Sequence, residues 1–67
     1  MKFKIEGDYI ELNALLKITG IAETGGQAGM MVEEGLVRLN GKTESRKRAK
    51  LRPGDVVQIM KQKIELE

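Results

Sequence analysis

Apolar and polar positions alternate with a period of two at both ends of this chain and follow a helical period between them. Over Met1 to Glu6, Phe3 and Ile5 alternate with Lys2, Lys4 and Glu6, which predicts a short strand with one buried face. Gly7-Asp8 turns the chain. Tyr9 and Ile10 then lead into Glu11 to Thr19, where Leu12, Leu15, Leu16 and Ile18 fall at helical spacing with Asn13 and Lys17 off the stripe. Gly20 is placed to end this helix in the left-handed conformation. Its start is poorly marked, because Glu11 is a weak cap and Asp8 lies a turn too early. A second helix opens at Thr24, where Gln27 three residues later completes a capping-box pattern. Ala28, Met31 and Val32 form its apolar stripe, Glu33 and Glu34 face water, and Gly35 ends it.

Beyond the helices, Val37 and Leu39 alternate with Arg38, and Asn40-Gly41 predicts a two-residue hairpin turn with positive φ at both positions. The return strand starts at Lys42-Thr43 and soon gives way to a polar segment whose clear apolar anchor is Leu51. Arg52-Pro53-Gly54-Asp55 predicts a type II turn, with Pro fixing φ and Gly taking the positive φ. Val56 to Met60 forms a strand, Lys61-Gln62 a tight reversal, and Lys63 to Glu67 a last strand that pairs with the first or with Val56 to Met60. The fold class expected is α+β: two short packed helices followed by a β-hairpin and a small, mostly antiparallel sheet, in one domain spanning 1–67.

Three glycines, Gly25, Gly26 and Gly29, run against this pattern, since each lowers helix propensity by up to about 1 kcal/mol relative to Ala in a helix interior. Close packing of the second helix on the first would explain them and is the favoured reading. The other explanation is close approach of a phosphate to uncluttered N–H groups at the helix start, here those of Gly26 and Gln27. The Gly-Lys-Ser/Thr ending of a nucleotide-binding loop is absent.

Charge changes the picture more than composition does. From Arg38 to Arg52 the chain carries seven cations, Arg38, Lys42, Arg46, Lys47, Arg48, Lys50 and Arg52, against Glu44 alone, a local +6 on a chain of net charge +2. Charge this polarised, pinned between two turns, points to an anionic partner and most directly to nucleic acid. With no Cys and no His, disulfides, the usual zinc ligands and Cys- or His-based catalysis are excluded. The carboxylates Asp8, Glu11, Glu33, Glu34 and Asp55 have no spacing that argues for an acid/base pair, so no enzyme, metal or cofactor is expected. Neither a signal peptide nor a membrane span is apparent, and a cytoplasmic location is the expectation. One Phe and one Tyr, both near the N-terminus, offer no aromatic platform for single-stranded bases. Recognition of a folded RNA by shape and backbone is expected instead.

The order of two helices, Gly35-Leu36-Val37-Arg38-Leu39-Asn40-Gly41, a basic loop, and Leu51-Arg52-Pro53-Gly54-Asp55-Val56-Val57 resembles the RNA-binding module first recognised in ribosomal protein S-four. Leu12, Leu15, Leu16, Gly20, Thr24 and Ala28 belong to the same resemblance. It covers Leu12 to Val57. The length and Gly25-Gly26-Gln27-Ala28 look most like its small stand-alone members, the YaaA-like and YbcJ-like proteins. The resemblance implies the alpha-L RNA-binding motif, a structured RNA partner, and a ribosomal or translational setting. Most members carry Ser-Arg at the start of the second helix and a basic residue after the alanine, where this chain has Gly25-Gly26 and Gly29. The expected RNA-binding residues are therefore Arg46, Lys47, Arg48, Lys50 and Arg52, extended by Lys17, Arg38 and Lys42, with the amides of Gly26 and Gln27 at the helix start. Asn40 is accounted for by its turn. A monomer is expected. The rival reading is an adaptor that docks the basic loop on an acidic protein of the translation machinery. A DNA-binding reading stays open, although the scarcity of cations on the second helix argues against major-groove readout.

Overall fold

The computed structural model of the chain describes residues 1–67. In chain order the elements are β1 (Lys2–Phe3), β2 (Ile10–Glu11), α1 (Leu12–Ile18), α2 (Gly25–Glu33), β3 (Val37–Leu39), β4 (Lys42–Thr43), β5 (Lys50–Leu51), β6 (Val56–Ile59) and β7 (Gln62–Leu66). Five strands form one sheet in the order β1-β7-β6-β3-β4, and β2 pairs with β5 in a separate ribbon. Within the sheet only β1 and β7 run parallel. The last strand pairs with both partners that the pattern left open, Phe3 lying opposite Leu66 and Ile59 opposite Gln62.

Strand alternation decides what the sheet buries. Val37, Val57, Ile59, Ile64 and Leu66 are buried on one face, whereas Arg38, Gln58 and Lys63, aligned across three strands, are exposed on the other. The helices cover the apolar face: Leu12, Leu15 and Leu16 of α1 and Ala28, Met31 and Val32 of α2 join the same core cluster. Complete burial of each of these leucines stabilises the fold by about 1.5–3 kcal/mol. A helix as short as α1, seven residues, needs that packing because it is unstable alone. Ile18 falls off the stripe and is 62% exposed.

Residues far away in the chain make the start of α1. Glu11 occupies the N-cap position with no side-chain bond. Instead, the Leu12 N–H donates to the Ala49 carbonyl at 3.0 Å and the Asn13 N–H to the Lys47 carbonyl at 2.9 Å. The Ala14 N–H finds the Asn13 side chain at 2.9 Å. Three orphan donors of the first turn are satisfied in this way. At α2 the expected cap forms, Thr24 Oγ1 accepting from the Gln27 N–H at 3.0 Å. The Gln27 side chain reaches back one residue further than a capping box requires, accepting from the Glu23 N–H at 2.8 Å.

Both predicted turns are present and they are joined. Asn40 (φ 51) and Gly41 (φ 86) take positive φ, as the hairpin requires. Gly54 has φ 98, and the Asp55 N–H donates to the Arg52 carbonyl at 3.0 Å. The Asn40 amide donates to Asp55 Oδ1 at 3.0 Å, and Asn40 Oδ1 accepts from the Val56 N–H at 2.8 Å. Asn40 thus clamps one turn to the other. The last reversal falls at Met60-Lys61 rather than Lys61-Gln62, since pairing of Ile59 with Gln62 leaves only those two residues outside the ladder. Met60 takes φ 55 there, a left-handed position that Gly or Asn would have signalled.

Candidate nucleic-acid interface

The basic segment is held on its inner side by backbone and small apolar contacts. Ala49 and Leu51 are buried, β5 pairs with β2 through Ile10 opposite Leu51 and Glu11 opposite Lys50, and the Lys47 and Ala49 carbonyls cap α1. A run of cations would otherwise repel itself into disorder. Anchoring through carbonyls and alternate small side chains leaves the charged ends outward. Arg46, Arg48, Lys50 and Arg52 accordingly line one open hollow of about 460 Å³ with Ala49 at its floor.

Lys47 leaves this group and lies across α2. Its Cδ stands 3.0 Å from where a Cβ on Gly29 would be, and its Nζ is 3.9 Å from Glu33. Gly29 is buried for this reason. The expected packing of the glycines on α1 is not what the structure shows: a Cβ at Gly29 would meet the Lys47 stem, one at Gly25 would meet nothing within 4 Å, and one at Gly26 only Thr24 Oγ1 at 3.9 Å. The N–H groups of Gly25 and Gly26 have no protein acceptor. That of Gln27 is committed to Thr24, so the phosphate contact expected of Gln27 has no free backbone donor.

Ion pairs occupy part of the basic loop. Glu44 accepts from the Arg46 guanidinium at 3.1 and 3.2 Å and from the Arg46 N–H at 3.0 Å. The hydrogen bonds from Arg46 hold the Glu44 carboxyl below its ordinary value, and the same contact raises Arg46. Arg48 pairs with Glu11 at 3.2 Å, and the Lys50 ammonium sits 4.9 Å from the centre of the Tyr9 ring. With their cations open to solvent, pairs of this kind contribute little to stability. A phosphate can displace them.

The remaining expected residues do not all join the hollow. Lys17 stands four residues beyond Asn13 on the same face of α1, about 6 Å along the axis, and Asn13 touches the loop. Arg38 lies on the outer face of the sheet, away from the helices, because its neighbours Val37 and Leu39 turn inward. It lines a different hollow with Lys61 and Lys63. Lys42 is exposed on the edge strand β4 and lines neither. Tyr9 and Glu11, which touch Lys50 and Arg48, carried no signal in the sequence. They reach the loop through a ribbon of two residues per strand, too short for periodicity to reveal.

Known proteins share this fold. YbcJ of Escherichia coli, in a solution structure described as revealing a motif of the alpha-L type involved in RNA binding, superposes with a TM-score of 0.73 at 33% identity, covering 97% of this chain and 84% of that one. The E. coli (strain K12) protein described as "Putative RNA-binding protein YbcJ" is 43% identical over 49 residues, 73% of this chain and 70% of its own length. The Shigella flexneri YbcJ, described as uncharacterized, matches to the same extent. The S4 domain family matches residues 3–67, and with the alpha-L fold and these relatives in agreement, the chain belongs to the S4 domain family.

Proposed function

We propose that this chain is a non-catalytic RNA-binding protein that holds structured RNA, of ribosomal or translational origin, by its phosphate backbone. The observation that carries this reading is the open hollow of Arg46, Arg48, Lys50 and Arg52, fixed by backbone bonds to the start of α1. Rigid placement matters, because phosphate contacts gain most when the cations need not be ordered on binding. Lys47 on α2 and Lys17 on α1 extend the footprint, and the Gly25 and Gly26 N–H groups offer a further phosphate contact. No aromatic side chain lines the hollow, and the nearby Tyr9 ring is engaged by the Lys50 ammonium. Backbone and shape recognition therefore fit better than base stacking. The name and structural description of YbcJ support the same class of partner. In this reading residues 1–67 act in the cytoplasm as one monomeric domain, without cofactor.

The test is equilibrium binding at two salt concentrations to a folded ribosomal RNA fragment, a DNA duplex and a single strand of matched length. Each neutralised phosphate steepens the dependence of log K on log salt by about 0.7–0.9. Four contacts give a slope near −3. Preference for the folded RNA with such a slope, flattened by glutamine at Arg46, Arg48, Lys50 and Arg52, is the expected result. Equal, weak binding to all three, or a slope unchanged in the variant, overturns the assignment.

A further inference from the structure

The outer face of the sheet carries a second basic hollow, and nothing in the reading above uses it. Register places Arg38 of β3, Gln58 of β6 and Lys63 of β7 in one row across the sheet. Arg38 and Lys63 stand two strand spacings apart, about 10 Å. With Lys61 they line an open hollow of about 350 Å³ whose lining includes no carboxylate, although Glu65 just outside it pairs with Lys63 at 4.0 Å and has to be displaced by an acidic ligand. Leu36 and Met60, 44% and 70% exposed, complete it. Met60 also holds φ 55, a backbone position that disfavours any side chain other than Gly, Asn or Asp. Strained residues tend to persist where a site requires them.

The two hollows differ in chemistry as well as in place. The loop hollow has four cations and a single small apolar residue, Ala49. The sheet hollow interleaves three cations with two large aliphatic side chains and has no aromatic ring. A nucleic acid presents apolar surface chiefly through its bases, which stack on aromatic rings, and this hollow has none. Aliphatic groups between cations are complementary instead to an acidic peptide that carries its own aliphatic side chains, with Met60 supplying an adaptable contact.

We infer that the outer sheet face, through Arg38, Lys61, Lys63, Leu36 and Met60, docks an acidic, leucine-bearing segment of a protein partner. Because this face points away from the helices and the basic loop, RNA and protein can be held together. The chain then joins the two.

Chemical-shift mapping on the ¹⁵N-labelled full chain tests this with three probes: a short Asp/Glu-rich peptide bearing leucines, a leucine-free peptide of the same charge, and the folded RNA fragment. The leucine-bearing peptide is expected to shift the amides of Arg38, Gln58 and Met60 to Lys63 and to bind at least about tenfold more tightly than the leucine-free one. An Arg38→Gln/Lys63→Gln variant is expected to lose that binding while RNA affinity stays within about twofold. Met60→Gly separates fold from docking: it is expected to raise the melting temperature by relieving the strain, yet to weaken the peptide. Peptide shifts confined to Arg46–Arg52, equal binding of both peptides, or RNA shifts on Arg38 and Lys63 overturn the inference. Peptide shifts on Arg46–Arg52 would favour the rival adaptor reading of the loop, whereas the other outcomes leave the loop's binding of RNA untouched.

Discussion

Replacing Gly29 by alanine separates the two roles this glycine combines. As an interior position of α2, it costs the helix about 0.8–1.0 kcal/mol relative to Ala. The new methyl would meet Lys47 Cδ at 3.0 Å, with Lys47 Nζ at 3.9 Å and Lys47 Cβ at 4.0 Å, all atoms of one side chain. The crowded atom belongs to a flexible side chain that is 52% exposed and pairs with Glu33 only at 3.9 Å. Moving it forfeits an ion pair worth about 0–1 kcal/mol, and such loosely made pairs lie at the bottom of that range. The Lys47 carbonyl, which caps Asn13, need not move. Gly29→Ala is therefore expected to stabilise the fold by about 0.5 kcal/mol, a rise of roughly 2–4 °C in Tm for a domain this small. Urea unfolding followed by circular dichroism, with the slope unchanged, gives the sign. RNA affinity is expected to fall at the same time, because the displaced Lys47 no longer holds its ammonium over α2. A variant destabilised by more than about 1 kcal/mol would refute the reasoning, showing the Lys47 stem to be clamped rather than resting on the helix.

Glu44→Gln releases the Arg46 guanidinium from a contact that a phosphate must otherwise displace, so binding to the RNA fragment is expected to tighten with the four-contact salt slope kept, read from titrations at two salt concentrations. The same pair fixes a pH dependence. The Glu44 carboxyl is held below its ordinary value by the Arg46 hydrogen bonds, so its contribution to stability is complete above the ordinary carboxylate range and is lost as pH falls through the lowered value. Thermal unfolding should show the parent melting slightly above Glu44→Gln at neutral pH, the gap closing in acid. Asn40→Gly keeps the positive φ but removes both bonds to Asp55 and Val56. A loss of about 1–2 kcal/mol in urea unfolding is expected, with RNA affinity at the loop unchanged.

Features set by local chemistry were legible in the sequence. Period-two alternation marked β3, β6 and β7, the Thr24 and Gln27 spacing marked the start of α2, and Asn40-Gly41 and Pro53-Gly54 marked turns whose positive φ values the structure shows. Features made by distant residues were not. Carbonyls of residues 47 and 49 cap α1, a service that no residue near Glu11 advertises. The ribbon of β2 with β5 joins residues some forty apart in the chain through two pairs, which leaves too little alternation to detect.

The candidate site shows the same division. A count of charge along the chain put Arg38, Lys42 and Arg46 to Arg52 in one group, but a surface is defined by the side of the backbone on which a side chain emerges. Arg38 sits between two inward residues of a strand, and parity alone sends it to the far face of the sheet. Its apolar neighbours were already in view, so that outcome could have been read from β3 itself. Gly29 is different. The pattern posed it as a glycine without a local reason, and the reason is a lysine stem from a loop eighteen residues further on. The missing bulk in α2 and the surplus charge in the loop are two halves of one contact.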